Sequence, residues 1–170
     1  MTVKFYVSRY YITSENHQRL LAFTNSCGDK RPTLIMQFIR GWLSLNREYY
    51  TRLAKADKEG RLLTSENWVG ILLDEDFKVI DDVYPIVNPQ EITEPDPMRN
   101  VFLPKVPQMT LACSVINLSR QNYLLLKTAI YYHGVSSSVF VSKIIHEHMQ
   151  RNWARLYQPQ IAADMYDTWL

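Results

Sequence analysis

The sequence predicts a mainly helical α+β fold, in which one strand–helix–helix pattern occurs twice along 170 residues. A single shift of 106 residues relates Gly28 to Gly134 and Thr13 to Ser119. A β-rich run precedes each hydroxyl residue, and an amphipathic helix follows each glycine. Because a lone strand leaves its edges unpaired, the two copies are expected to pair their strands. The alternative is two unrelated amphipathic helices that happen to follow glycines.

The first copy begins with a predicted strand at Val3–Ile12, which is rich in aromatic and β-branched residues. Thr13 supplies a hydroxyl to cap a helix over Ser14–Cys27. Gly28 is expected to end that helix in a left-handed conformation. After a short polar turn, a second helix is expected over Pro32–Lys58, since proline suits a first helical turn.

The second copy follows the same plan. Thr110–Leu118 is predicted to form a strand, and Ser119 to cap the helix that Gly134 ends. A longer helix then follows and is expected to stop near Leu156, before Pro159.

Both predicted strands change phase at equivalent places. The apolar sides are Phe5 and Val7, then Tyr10 and Ile12, in the first copy, and Leu111 and Cys113, then Ile116 and Leu118, in the second. A slip of one residue moves every side chain to the opposite face of a strand. Each strand is therefore expected either to bulge or to begin its ladder late.

The predicted division places a first unit at 1–60, an acidic, proline-containing connector at 61–108, and a second unit with a C-terminal tail at 109–170. The net charges of these segments are +5, −5 and +2. The connector has a possible β-hairpin at Trp68–Ile80, followed by an extended stretch. Basic units around an acidic connector are a first indication of a polyanionic partner.

Several function classes find no support in the residues. No apolar run approaches the roughly twenty residues that span a bilayer, and the N-terminus lacks a signal peptide's apolar core. We therefore expect a cytoplasmic protein with no membrane partner. Cys27 and Cys113 form no CxxC pair, which disfavours a disulfide framework or a zinc site.

Catalysis and metal binding are likewise not expected. His146 and His148 are two positions apart on a helix, so they point about 200° apart and do not grip one ion. Acidic residues at positions 74–76, 81 and 82 could suggest a metal-dependent nuclease, but no histidine or lysine partners them at motif spacing, and a solvated hairpin tip explains them more simply. We predict no enzyme, no metal site and no cofactor.

The motifs resemble the ribbon-helix-helix DNA-binding family of the Arc and MetJ type. The second copy carries Ser114-Val115-Ile116-Asn117-Leu118-Ser119 and Gly134-Val135-Ser136-Ser137-Ser138, and the first carries Arg9-Tyr10-Tyr11-Ile12-Thr13 and Gly28 to Pro32. The resemblance covers roughly residues 3–56 and 110–155. It implies two tandem ribbon-helix-helix units that pair as a pseudo-dimer within one chain.

The resemblance also implies a site. Paired strands enter the major groove and read base edges, while the start of each second helix meets a phosphate. The implied base contacts are Arg9, Tyr11, Val115 and Asn117, or Lys4, Tyr6 and Ser8 in the alternative register. The implied phosphate contacts are Lys30, Arg31, Ser136, Ser137 and Ser138.

The predicted function is sequence-specific binding of double-stranded DNA, as a transcriptional repressor. The resemblance also allows a plasmid DNA-transfer accessory protein. A second copy of the chain, in a homodimer, is a further possible partner. A rival from another class is a protein-interaction or structural module that keeps the fold without touching DNA. Apolar Val115 and the acidic connector favour that rival.

Overall fold

The computed structural model describes residues 2–5, 7, 9–56, 96–112 and 115–169, with side chains at 4–5, 7, 9–53, 96–112 and 115–164. These residues form a mainly helical α+β structure with small antiparallel two-stranded ladders, which confirms the predicted class. The hairpin predicted at Trp68–Ile80 lies outside the described residues.

The strands are β1 (Thr2–Phe5), β2 (Arg9–Thr13), β3 (Gln108–Ala112) and β4 (Ile116–Ser119). The helices are α1 (Ser14–Cys27), α2 (Arg31–Leu45), α3 (Arg47–Ala56), α4 (Arg120–His133), α5 (Ser137–Asn152) and α6 (Gln158–Trp169), with a π-helical turn at Trp153–Tyr157. β1 pairs with β4 and β2 pairs with β3, both antiparallel.

The predicted phase change falls between β1 and β2 in the first copy and between β3 and β4 in the second. Phe5 at the end of β1 is buried, as is Val7 between the strands, and Tyr10 and Ile12 in β2 are also buried. β1 and β2 therefore both direct apolar side chains inward although their alternation differs by one residue. The strand predicted at Val3–Ile12 is in this way two paired segments rather than one.

The helix caps are as the sequence predicts. The Thr13 hydroxyl accepts a hydrogen bond from the backbone N–H three residues later at 3.2 Å, and Ser119 does the same at 3.1 Å. Gly28 and Gly134 end the same helices with φ values of 78° and 66°. Only a residue without Cβ enters this left-handed region without strain, which explains why both stops are glycine.

Two predicted helix boundaries are wrong. The helix expected over Pro32–Lys58 breaks at Asn46, whose side-chain amide donates to the Trp42 carbonyl at 3.0 Å. Asparagine favours such local bonds over a regular helix interior. At the other end of the chain, Pro159 lies in the first turn of α6, which follows directly on the π-helical turn, so the helical path does not stop before this proline.

The chain divides into two compact units, with one ladder in each. The first unit comprises Met1–Phe5, Arg40–Asn100 and Ile116–Ser136, and the second comprises Tyr6–Ile39, Val101–Val115 and Ser137–Leu170. The divisions predicted at residues 60 and 108 stay a prediction.

Each unit has its own apolar core. In the first unit, α4 packs on β1, β4 and α3, and the core includes Phe5, Tyr50, Leu118, Leu125 and Ala129. In the second unit, α5 packs on β2 and α1 on α6, and the core includes Tyr10, Ile12, Leu20, Phe38 and Ile144. Each ladder therefore has one buried face and leaves its other side chains outward.

Candidate nucleic-acid interface

The β2–β3 ladder presents Arg9 and Tyr11 on its outward side. Arg9 lies opposite Ala112 and Tyr11 opposite Thr110, while Tyr10 between them is fully buried. Arg9 is exposed and Tyr11 is half-buried. The Arg9 guanidinium carbon lies 5.9 Å from the centre of the Tyr11 ring, within range of a cation–π contact. The two predicted base contacts of the first copy are thus neighbours.

Thr110 and Ala112 are exposed partners that are not among the predicted base contacts. The signal was present, because both alternate with Leu111, which was assigned to the apolar side. The predicted base contacts include only the strand residues nearest the helix cap. The antiparallel register is what makes Thr110 and Ala112 the immediate neighbours of Tyr11 and Arg9.

The β1–β4 ladder brings together two residues that the sequence assigned to different registers. Lys4 lies directly opposite Asn117, and both side chains are exposed. Phe5 and Leu118, their chain neighbours, are buried. Because the strand region is broken, Lys4 belongs to the outward face together with Asn117 rather than replacing it. Val115, just before β4, is also exposed.

Tyr6 and Ser8, the other residues of the alternative register, lie outside the described residues. They stay predictions.

The implied phosphate contacts lie at the starts of the second helices. Lys30 is exposed just before α2, and its carbonyl accepts the first backbone bonds of that helix. Arg31 is the first residue of α2 and is half-buried. Ser136 is exposed before α5, and Ser137 and Ser138 form the first turn of α5.

The second unit therefore contains most of the candidate interface. Its residues include Arg9, Tyr11, Lys30, Arg31, Ser137 and Ser138. An outward strand face with a cation, together with the starts of two helices, is what a groove-reading strand and its phosphate contacts require. The first unit holds the Lys4–Asn117 pair.

Histidines on α5 carry no positive charge near neutral pH. Burial lowers the pKa of His146, whose Nδ1 lies 3.3 Å from the Asn16 side-chain nitrogen. Burial also lowers the pKa of His148 to about 4. His148 stacks on Phe38 at 4.0 Å and lies within hydrogen-bond distance of the Tyr157 hydroxyl. These rings therefore pack inside the second unit and do not attract an anion.

A chain of polar groups in the first unit was not predicted. Asp96 lies 2.7 Å from His133 Nδ1, and His133 Nε2 lies 3.1 Å from the Tyr50 hydroxyl. Trp42 Nε1 donates to the same hydroxyl at 2.9 Å. No sequence motif indicates these hydrogen-bonded polar groups, because they come from segments that are distant in sequence.

The carboxylate–imidazole–hydroxyl order of this chain is one that catalytic sites use. Here the Tyr50 residue is fully buried, and burial raises the pKa of its phenol. A hydroxyl that substrate does not reach and that stays protonated is a poor nucleophile. We assign these linked polar groups a structural role, in which they join α2, α3 and α4 to Asp96.

Two further observations concern metals and membranes. Among the residues that the structure describes, no group of three or more His, Cys, Asp or Glu side chains could hold a metal ion. Within the same residues, no helix has the length and apolar character needed to cross a bilayer.

Comparison with protein-family models, with curated proteins and with solved structures finds no match to this chain.

Proposed function

We propose that this protein is a cytoplasmic, sequence-specific double-stranded DNA-binding protein that acts as a transcriptional repressor. In this proposal its two ribbon-helix-helix units pair as a pseudo-dimer within one chain. Three features support it: strands from both copies pair antiparallel, a hydroxyl-capped helix follows each strand region, and glycine ends that helix.

The observation that carries the proposal is the composition of the second unit. It combines an outward Arg9 on a two-stranded ladder with the starts of α2 and α5. The major groove of B-DNA admits a two-stranded β-ribbon, and base edges are read there by side chains on its outward face. The helix starts would hold phosphates and so fix the position of the ladder on the duplex.

The outward side chains suit specific bases. The Arg9 guanidinium can donate two hydrogen bonds to guanine O6 and N7, and the Asn117 amide can pair with adenine N6 and N7. Lys4, directly opposite Asn117, adds a second donor for guanine or a phosphate. These two ladders differ in their outward residues, so the proposal favours an asymmetric target sequence over a palindrome.

The first test is selection of bound fragments from random duplex DNA with the purified full-length protein. The proposal expects an enriched, asymmetric motif whose affinity falls steeply as salt concentration rises, because phosphate contacts release counterions. Recovery of no motif, together with affinity that salt does not change, would contradict it.

Arg9→Ala is the decisive variant. It should weaken binding to the selected motif by about 1–3 kcal/mol and relax one base position. Arg155→Ala is the matched control, because Arg155 is exposed in the π-helical turn and bonds to Asn152. Equal effects of the two substitutions on motif affinity would remove Arg9 from base recognition.

A second candidate function is a protein-interaction module. It is favoured by the exposed apolar residues near the ladders, Val106, Met109 and Val115. Such an interface excludes water mainly through apolar contact, so its affinity would change little with salt. The salt titration that tests DNA binding therefore also separates the two functions.

A further inference from the structure

Ser142 joins strand β2 to the first turn of α5. Ser142 lies in α5 and is fully buried. Its hydroxyl accepts a hydrogen bond from the Tyr11 backbone N–H at 2.7 Å and donates one to the Ser138 carbonyl at 2.6 Å. A serine hydroxyl can donate one hydrogen bond and accept two, and the Ser142 hydroxyl here acts both as a donor and as an acceptor.

The bond occupies the edge of β2 that β3 does not cover. Tyr11 faces Thr110 in the ladder, yet its N–H points to α5 and not to β3. Alternate residues of an antiparallel strand turn their backbone groups away from the partner strand. At Tyr11 the helix replaces a third strand, and Ser142 is the group that satisfies the backbone.

We propose that Ser142 is a positioning residue for base recognition. On the proposed function, which this inference rests on, Tyr11 and Arg9 face bases while Ser138 lies at a phosphate-binding helix start. One buried hydroxyl links the base-reading strand β2 to the phosphate-binding start of α5. The contact of α5 with the DNA phosphates therefore sets how deeply β2 lies in the groove. Phosphate contacts fix register, and a rigid link carries that register to the base-reading strand.

The second copy has this serine and the first copy does not. The shift of 106 that relates the copies aligns Ser142 with Met36. A thioether has no hydrogen to donate and is a weak acceptor. Loss of Ser142 should therefore relax only the part of the target sequence that Arg9 and Tyr11 read, and leave the part read by Asn117 unchanged.

The test compares Ser142→Ala with Thr128→Val in the full-length protein. Thr128 is also fully buried in a helix, and its hydroxyl donates to the Leu124 carbonyl at 2.7 Å. Each substitution removes a buried helical hydroxyl, but only Ser142 reaches a strand. The readout is the ratio of affinities for selected and random duplex DNA, with its salt dependence.

Ser142→Ala should lower this ratio about tenfold, while affinity for random DNA and the salt slope stay unchanged. The base preference of the enriched motif should weaken only at the positions that Arg9 and Tyr11 read. Thr128→Val should leave the ratio as in the natural protein. An unchanged ratio in Ser142→Ala, or an equal loss in both variants, would overturn the proposal.

Amide hydrogen exchange gives a readout that needs no DNA. The Tyr11 amide should exchange at least tenfold faster in Ser142→Ala, because its acceptor is gone. Unchanged Tyr11 exchange overturns the link itself. Faster exchange with no enriched motif for the natural protein overturns the proposed function, and with it the role in base recognition, but leaves the link between Ser142 and Tyr11 in place. If Ser142→Ala does not fold, Ser142→Cys keeps a weaker acceptor and should show a smaller loss in both readouts. No loss there overturns the proposal equally.

Discussion

Replacing Tyr50 by Phe removes a single oxygen from the polar chain of the first unit. That oxygen accepts from Trp42 Nε1 at 2.9 Å and lies 3.1 Å from His133 Nε2. His133 Nδ1 faces the Asp96 carboxylate, which favours a proton on Nδ1 and leaves Nε2 as the acceptor of the Tyr50 hydroxyl. One oxygen therefore satisfies two other groups.

The cost follows from burial. Tyr50 is fully buried and the side chain of His133 is 5% exposed, so water does not replace the missing partner. Each buried polar group left unpaired costs about 1–3 kcal/mol. The two groups share one partner and their costs are not additive. We therefore expect Tyr50→Phe to lower the free energy of unfolding by about 2–4 kcal/mol.

Urea denaturation followed by far-UV circular dichroism measures this loss. Tyr49→Phe is the matched control, because Tyr49 is the half-buried neighbour on the same helix and also loses only a hydroxyl. That variant should remain within about 0.5 kcal/mol of the natural protein, as substitutions away from buried networks usually do. A Tyr50→Phe protein as stable as the Tyr49→Phe protein would refute the reasoning.

Two further predictions concern stability. Gly28→Ala should cost about 1 kcal/mol because φ is +78°, whereas Gly41→Ala should add up to about 1 kcal/mol, since Gly41 lies inside α2 with nothing within 4 Å of an added Cβ. Urea midpoints of the two variants measure this, and shifts of the same sign would contradict it. His148 contributes a pH dependence: its pKa of about 4 in the folded protein lies below the unfolded value of 6.5. The unfolded chain therefore binds more protons as pH falls from 6.5 to 4, and stability drops by about 2 kcal/mol after allowance for partial exposure. His148→Gln should lose correspondingly less stability than the natural protein between pH 7 and pH 4, and an equal loss would show that this ring does not titrate as proposed.

Local features of the fold could be predicted because neighbouring residues cause them. Thr13 and Ser119 cap helices through bonds to residues three positions later, and Gly28 and Gly134 end those helices through their own φ values. Such interactions need no distant partner, so the sequence contains all of their determinants. The break at Asn46 is also local, but its signal is weak, since asparagine occurs inside helices as well.

The outward faces of the ladders were predicted only in part. Alternation correctly assigned Phe5, Tyr10 and Leu118 to the buried side. It did not show that Lys4 and Asn117 face each other, because register depends on which residues of two distant segments pair. The choice between the two registers therefore had no basis in either segment alone.

The sequence by itself determined where helices start and stop and which strand residues are apolar, because those properties arise within a few bonds of each residue. Only the tertiary structure decided that β1 pairs with β4 and β2 with β3, that Ser142 bonds the Tyr11 backbone, and that Tyr50 connects Trp42 with His133. These contacts join residues far apart in the chain. They depend on packing and burial, which are properties of the folded chain and not of any short segment.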